Sequence, residues 1–528
     1  MFFKNDELSG THFMTGRPLY RALLNPGVRM RNHIAWLSCL PVFKSVLWPA
    51  VQNQLRLPSM VSRLALALAL FLTGSLASAQ PVYTNFTIQL GPTSLVPNAN
   101  PSIPTYPYFP DGHVTFMPDN ATNNVYQMYW AGGTSYRSLG TNVSLEALNP
   151  GTALIGAGLS ATDFDNGGAW LMSVCRTSPS NLSGFYHGED WNWPGYSNPG
   201  NIAWKSMAYC TSTNNGKTWT KAGQFLTSST PKPVVPTWGG TADACVVYDQ
   251  ANARWVCLFS EDSICMAVST NAVPLPGTWK KYYNGSFSTP GLGGLDTPVP
   301  GLGTVPGANP SVHFNTYLQR WVIIWEDWNG VGLYLSTSAD LLNWTAPVVL
   351  VSVVSPQQAW YGTIIGRTDV EASRNGMLYY AYWPNVNSGL RQFLGATLQF
   401  NLPDTLGDGV PDAWKIYYFG SIHAPSAAAS ADPDGDGQNN LSEYLAGTDP
   451  TNSSSLLQLQ NIQPVGNGSM VLNWQSVAHK YYTLETSTNL VNWTSVGQNL
   501  PATPPLNQYT NLASAQGTSF YRVSVAPY

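Results

Sequence analysis

Several short stretches of this chain end or begin in side chains able to move protons or hold a cation. His187-Gly-Glu189-Asp190, Glu261-Asp262 and Glu326-Asp327 each close an aromatic, strand-like run. Asp111, the pair Asp163 and Asp165, Asp243 and Asn309 stand at or just before the start of one. Neighbouring carboxylates repel, which drives their pKa values apart and leaves one acid and one base. Trp130, Tyr186, Trp191, Trp193, Trp325, Trp328 and Trp360 interleave with them. Flat aromatic faces beside carboxylates suit a sugar ring, with its apolar C–H face and hydroxyl rim. Each carboxylate taken singly is equally a turn former that caps backbone N–H groups, a solvated loop residue or a calcium ligand. His187 alone is equally a hydrogen-bonded structural histidine. Only the converging set makes a candidate pocket.

The elements that must position these residues repeat along the chain. From Asp111 to about Phe400 a strand opens near an acidic or amide residue, turns at Asn, Asp or Gly, and returns as an aromatic strand. The openings are Asp111-Gly-His-Val-Thr-Phe, Gly168-Ala-Trp-Leu-Met-Ser-Val, Asp243-Ala-Cys-Val-Val-Tyr-Asp, Asn309-Pro-Ser-Val-His-Phe-Asn and, more loosely, Tyr361-Gly-Thr-Ile-Ile-Gly. Third strands such as Ser206-Met-Ala-Tyr-Cys-Thr-Ser end in Ser or Thr and lead to Trp219, Trp279 or Trp344. Strand-built repeats of about 40–70 residues predict propeller blades, and five copies predict five of them. A hairpin begins and ends on one edge of its sheet. The openers and the closing carboxylates therefore share one face.

Ser212-Thr-Asn-Asn-Gly-Lys-Thr-Trp219 resembles the Asp box of sialidases, with Asn214 in the Asp position, and Ser338-Ala-Asp-Leu-Leu-Asn-Trp344 is a looser relative. In that family the box is a structural turn between outer strands, with its Trp packed between blades. Residues 100–400 as a whole resemble the five-bladed propeller glycoside hydrolases around families 43, 32, 62 and 117. The resemblance implies Asp111 as general base or nucleophile and Asp243 as the carboxylate that tunes pKa and orients substrate. The general acid falls to Glu189 or Glu261, with Glu326 behind them. The candidate substrate contacts on the same rim are His187, Asp190, Trp191, Trp193, Asp262, Glu326 and Arg367. Family 43 opens its fourth blade with the acid, whereas this chain has Asn309-Pro310 there. A sialidase would need an arginine triad, and nothing in the spacing of Arg137, Arg176, Arg367 and Arg374 specifies one. A non-catalytic glycan-binding propeller and a polysaccharide lyase are the competing expectations.

Asp432-Pro-Asp434-Gly-Asp436-Gly-Gln438-Asn-Asn-Leu-Ser-Glu443 fits the calcium loop D-x-[DN]-x-[DN]-G-x5-E at every position. Asp432, Asp434 and Asp436 offer carboxylate oxygens, Gln438 its carbonyl, and Glu443 a bidentate carboxylate for Ca2+. Upstream, the Asp404, Asp408, Asp412 stretch looks like a partner loop that carries Leu406 at its third position and ends in Lys415. The segment resembles thrombospondin type 3 and dockerin-like calcium repeats. Residues 456–528 alternate with period two and predict a small β-sandwich that resembles fibronectin type III modules. Adhesion, spacing or weak glycan binding at a cell surface are its expected roles.

Composition agrees with this reading. Charged residues are 10% of the chain, aromatics 12%, and there are 47 Gly, 40 Pro and 20 Trp. That excludes coiled coils, helical bundles and disorder, and the lack of a basic stripe argues against nucleic acid. Met60 to Ala79 reads as a secretory signal peptide, with Arg63, an apolar run and Ala77-Ser-Ala79 before the cut. Residues 1–59 then read as an over-extended N-terminus. Residues 1–79 hold eight of the 24 Lys and Arg and two of the 28 Asp and Glu, so the remainder carries a net charge of −10. The expected product is an exported acidic protein with no membrane anchor. Its five cysteines leave at least one thiol unpaired within a monomer. The expected fold is all-β: a five-bladed β-propeller over 80–402, a calcium-binding linker over 403–455, and a small C-terminal β-sandwich over 456–528.

Overall fold

The computed structural model describes residues 14–16, 81, 83–96, 110–119, 125–132, 134–140, 152–198, 202–388, 391–466, 469–512 and 519–525. The proposed signal peptide lies outside them. Of the leader only the strand Met14–Gly16 is described, paired with Ser519–Val525. The chain forms two compact units that divide between Ile422 and His423, inside the expected 403–455 segment.

The unit from Gln80 to Ile422 holds five sheets among the described residues, antiparallel except for short parallel additions at Gly239–Gly240 and Glu371–Ala372. Sheet 1 runs Thr115–Pro118, Tyr126–Ala131, Ser135–Gly140, Thr152–Ile155. Sheet 2 runs Gly168–Arg176, Leu182–Asp190, Trp204–Ser212, Thr220–Leu226. Sheet 3 begins Ala242–Asp249, Arg254–Ser260, Ile264–Ser269, and sheet 4 runs Gly307–Asn315, Arg320–Asp327, Gly332–Ser338, Val348–Ser352. Sheet 5 takes Gln358–Ile365, Asn375–Trp383 and Gln392–Asn401, and its outer strand is Thr87–Leu90 from the start of the unit. Closing the last sheet with the first strand fastens the two ends of the unit together.

Each sheet buries its faces against the next. Tyr129 and Met117 pack on Leu171 and Tyr186, joining sheets 1 and 2. Phe185 and Met207 pack on Trp255 and Cys257, joining sheets 2 and 3. Val247 and Leu258 meet Val312 and Ile323 between sheets 3 and 4, and Tyr379 and Phe393 meet Phe116 and Trp130 between sheets 5 and 1. Gly362 of sheet 5 lies against Ile324 and Leu333 of sheet 4, close enough that a Cβ would touch both. The cycle is closed.

Side chains of the first strands stitch this cycle. Thr363 Oγ1 accepts from Val114 N at 3.2 Å, and Thr115 Oγ1 donates to Met172 O at 3.3 Å. Ser173 Oγ accepts from Val246 N at 3.0 Å, and Cys245 Sγ accepts from Val312 N at 3.4 Å. At these positions the first strands have no ladder partner on their outer edge, and the next sheet satisfies their N–H groups; the first strand of sheet 4 pairs on that edge only at Phe314 and Asn315, in parallel with Glu371–Ala372. That is why Thr, Ser and Cys interrupt otherwise apolar runs. All five cysteines of the unit are free thiols.

Residues 212–219 form a compact turn. In the turn between the third and fourth strands of sheet 2, Ser212 Oγ donates to Asn214 Oδ1 at 3.0 Å, and Asn214 Oδ1 accepts from Thr218 N at 3.0 Å. Trp219 packs edge-on to Tyr129 of sheet 1, centroids 5.9 Å apart. Ser338, Asp340 and Trp344 repeat the turn in sheet 4.

The unit from His423 to Pro527 contains the helix α2 (Asn440–Ala446) and two sheets, one of Leu459–Val465, Ser469–Gln475 and Leu506–Asn511, the other built on Tyr481–Ser487, Thr494–Pro501 and Ser519–Val525. Leu459, Leu472 and Trp474 of the first face Tyr482, Leu484, Tyr521 and Val523 of the second across one core. That is the expected two-sheet packing. The helix α1 (Asp412–Phe419) precedes this unit. No helix among the described residues is long and apolar enough to cross a membrane.

Candidate active site

One backbone device recurs in sheets 3, 4 and 5. Between Ala242 and Cys245, Ala308 and Ser311, and Trp360 and Thr363, the first strand fits two residues opposite one of its partner. The first residue of each bulge has a positive φ: 47° at Asp243, 53° at Asn309 and 59° at Tyr361. A bulge bends its strand and re-aims the side chain there. Asp and Asn tolerate this backbone, but Tyr does not, and such strain costs about 1–3 kcal/mol and gathers at functional sites. The openers read from sequence in the third, fourth and fifth repeats are these bulge residues.

Around them the structure gathers Asp111, His187, Glu189, Asp243 and Glu326. His187 Nδ1 lies 2.9 Å from Asp243 Oδ1, and its Nε2 lies 3.4 Å from Glu189 Oε1. Lys205 Nζ lies 3.3 Å from Asp243 Oδ2. Trp191 Nε1 donates to Glu189 Oε2 at 2.8 Å, and Trp170 stacks on the His187 ring at 4.8 Å. Asp111 accepts from Trp170 Nε1 at 3.1 Å, from Tyr361 OH at 3.2 Å and from Arg391 at 3.3 Å. Arg391 is itself sandwiched near the Trp383 ring, 4.2 Å from its centroid. Glu326 accepts from Asn309 Nδ2 and from Tyr361 N.

These environments split the titrations. Burial opposes a charge on His187, but Asp243 and Glu189 outweigh it and hold its pKa above the usual 6.5. Burial would raise Glu189 too, yet the hydrogen bond and charge of His187 with Lys205 pull it down. Asp243, buried but held by Lys205 and His187, is pushed below the ordinary carboxylate range. Glu326 goes the other way: full burial and the charge of Asp243 raise it well above its ordinary value. The surroundings thus favour the anionic forms of Asp243 and Glu189, the protonated form of His187 and the neutral form of Glu326. The Asp111 side chain is 27% exposed and that of Lys205 22%, whereas Glu326 is fully buried. Asp111 and Lys205 therefore meet solvent, and Glu326 backs the site.

Not every expected residue joins this cluster. Glu261 belongs to another network, accepting from Thr241 Oγ1 at 2.8 Å and from Ser228 Oγ at 2.5 Å, beside the buried Lys281 ammonium at 3.6 Å. Asp190 is tied to Lys232 at 2.7 Å and to Asn166, and Trp193 is buried under the Lys232 ammonium. Asp262 is exposed, and only its backbone oxygen is engaged, by Trp328 Nε1. Arg367 is not brought to the cluster: it follows the far end of the strand that Tyr361 opens, and faces Glu371 at 3.8 Å. Trp130, Tyr186 and Trp325 are fully buried core residues rather than rim aromatics. Asp165 is a buried partner of Lys221 and Tyr186, and Asp163 caps Ser160 N. Lys205, Arg391, Trp170 and the phenol of Tyr361 escaped the sequence reading. The lone Lys205 in the apolar run Ala203 to Cys210 was the available signal for one of them.

The calcium-type loop lies in the other unit. Asp432, Asp434 and Asp436 can bring oxygens within 4.8 Å of one another. Glu443 reaches the same place from α2, and burial together with Asp434 and Asp436 lifts its pKa to about 8. Asp434 Oδ2 and Glu443 Oε2 are buried without a hydrogen-bond donor. Gln438 is buried with its side chain bound to Leu457 O, which leaves its own carbonyl for the loop. Orphaned buried carboxylate oxygens around one point fit a hard divalent cation.

No family profile matches the chain, and no curated protein matches it. Solved structures similar to it include a family 117 glycoside hydrolase produced by the marine bacterium Zobellia galactanivorans. The identity is 10%, the TM-score 0.38, and the match covers 64% of this chain and 98% of that one. An endo-1,4-β-xylanase from Bacteroides thetaiotaomicron is similar at 14% identity and TM-score 0.29, covering 62% and 95%. A GH43 enzyme from Xanthomonas citri is similar at 9% identity and TM-score 0.33, covering 52% and 85%. These neighbours are glycoside hydrolases. At such scores no activity passes from them to this chain.

Proposed function

We propose that this chain is an exported glycoside hydrolase whose closed cycle of five sheets is a five-bladed β-propeller. One observation carries the reading: a solvent-reachable carboxylate, Asp111, shares a site with a proton-bearing pair, His187 and Glu189. Asp111 is the general base or nucleophile, aimed by Trp170, Tyr361 and Arg391. The His187–Glu189 pair holds one proton between them and delivers it to the glycosidic oxygen. Asp243 stays anionic, keeps His187 charged and orients it. Glu326 stays neutral beneath, so that no further charge opposes the ionised Asp111 and Asp243. Glu189 thereby keeps the acid role that the resemblance implies, with His187 as the source of its proton.

The substrate is a poly- or oligosaccharide, with Trp191 as a ring platform beside Glu189. Ca2+ belongs to the C-terminal unit, held by Asp432, Asp434, Asp436, the Gln438 carbonyl and Glu443, where it would neutralise the buried carboxylates and staple the loop to α2. The two-sheet module that follows resembles fibronectin type III modules and serves cell-surface association. The experiment is incubation of the full chain with a polysaccharide and aryl-glycoside panel, read by mass spectrometry. Hydrated products support a hydrolase. An unsaturated product would mean a lyase. Retention on an immobilised glycan with no product would reduce the same carboxylates to ligand contacts.

A further inference from the structure

Two loops of this chain share one backbone design and differ at their twelfth position. In the loop from Asp432 to Glu443, the Asp432 carboxylate accepts from Gly435 N at 2.9 Å and from Gly437 N at 3.0 Å. In the loop from Asp404 to Lys415, the Asp404 carboxylate accepts from Gly407 N at 3.0 Å and from Gly409 N at 2.9 Å. Asp436 Oδ1 accepts from Gln438 N at 2.7 Å, and Asp408 Oδ1 accepts from Val410 N at 3.2 Å. Gly435 and Gly437 have φ of 75° and 94°, and Gly407 and Gly409 have 65° and 89°. Each loop runs into a short helix closed by a left-handed glycine, Gly447 or Gly420.

The twelfth position separates them. In one loop it is Glu443, a buried carboxylate. In the other it is Lys415, whose side chain is fully buried and whose Nζ lies 2.7 Å from Asp408 Oδ1. A buried ammonium persists only where anions surround it. Leu406, 46% exposed, stands where the first loop has Asp434. The second loop has thus lost two carboxylates and gained one positive charge.

We infer that the Lys415 ammonium is the resident cation of the 404–415 loop, filling the role that a metal plays in its twin. The loop before α1 is therefore closed without metal, and the two loops together take one divalent ion rather than two. This rests on the calcium reading of the 432–443 loop, and the test separates the two. Calcium binding to the full chain is measured by titration calorimetry. Wild type should bind one ion, and the double variant Leu406→Asp/Lys415→Glu should bind one more than wild type.

Two ions on wild type, with one lost on Asp404→Asn, would overturn the inference. None on wild type and one on the double variant would sink the calcium reading of 432–443 and keep the inference. No gain in the double variant would overturn it, provided that the variant melts cooperatively. A second measurement covers misfolding of that variant. Hydrogen exchange of wild type with and without a calcium chelator should leave Gly407 and Gly409 amides protected and speed exchange at Gly435 and Gly437 by at least tenfold. Equal deprotection of both pairs would overturn the inference. Lys415→Met should expose the Gly407 and Gly409 amides at any calcium level, and unchanged protection there would overturn it as well.

Discussion

Asp243→Asn tests the electrostatic core of the site. Asp243 Oδ1 lies 2.9 Å from His187 Nδ1. Two unit charges at that distance interact by about 6 kcal/mol at an effective dielectric constant of about 20, equivalent to ~4 pK units. Glu189, on the other ring nitrogen at 3.4 Å, remains in the variant and supports the imidazolium. Lys205, no longer neutralised by Asp243, opposes it. The His187 pKa should therefore fall by at least ~2 units, within the range of measured pair effects. The sign for stability follows. In wild type the raised His187 pKa contributes stability that is complete below 6.5 and is lost as pH rises through the folded value. In the variant that contribution vanishes. The assay is a histidine-ring carbon–proton NMR titration of the full chain, with His187 identified by its loss in His187→Asn. Hydrolysis should fall by at least ~100-fold at neutral pH, because the proton donor is discharged. A His187 titration within half a unit of wild type, in a folded variant, would refute the reasoning.

Asp111→Asn should lower turnover by ~1000-fold or more while leaving glycan binding within a few-fold, and unchanged turnover would remove Asp111 from the chemistry. Glu326→Gln keeps a neutral group: with the Asn309 amide turned over, its NH2 can donate to Asn309 Oδ1 while its oxygen accepts from Tyr361 N. Because the folded Glu326 pKa is raised, wild type loses stability as pH climbs above 4.5, and the variant should not. Urea melts of both at pH 5 and pH 8 would show the gap widen with pH, and a constant gap would contradict a neutral Glu326. Burial lowers His113 to about 4 and His313 to about 3, so their stability contribution is complete above 6.5 and is lost as pH falls. His313→Gln should flatten the acid limb of a stability–pH curve by up to about 1.4 kcal/mol per pH unit, and an unaltered limb would exclude it. Removing calcium, or making Glu443→Gln, should lower the melting temperature of the C-terminal unit in scanning calorimetry, and no shift would argue against the metal.

Much of this architecture was legible because hairpin geometry is strict. A strand and its return share an edge, so Asp111, His187, Glu189, Asp243 and Glu326 could be placed together from sequence alone. The Asp-box turns were equally legible, since Ser212, Asn214 and Trp219 act within eight residues of one another. What the sequence did not disclose depends on which way a side chain leaves its strand. Glu261 and Glu326 close equivalent hairpins, yet only Glu326 meets the bulge residues of the fourth and fifth sheets. Glu261 is claimed by Lys281, which lies two strands further on, on the strand Lys280–Tyr283. Arg367 looked like a cation for the site, but the six residues after Tyr361 carry it past the opposite end of the strand. Arg391, far along the chain, takes that place beside Asp111.

The bulges explain why such a site can be assembled from so few charges. A regular strand would point alternate residues into the packed faces between sheets, where an ion is costly. One extra residue in the first strand lets the side chain leave both faces. Asp243, Asn309 and Tyr361 use one backbone shape for three different chemistries: an anion, an amide donor and a phenol donor. The Asn at the fourth position matters most. Its Nδ2 donates to the buried Glu326. An aspartate there would face Glu326 directly, and the two would have to share a proton. With asparagine the fourth sheet contributes a neutral pair; under the proposed hydrolase reading the fully buried Glu326 keeps its proton and sheet 2 supplies the one for the leaving group. Sheet 2 brings two cations with raised pKa values to the site, His187 and Lys205, and His187 is held between Glu189 on its own strand and Asp243 on the next sheet. Under the proposed hydrolase reading, the asparagine at 309 and the use of His187 as proton carrier belong together.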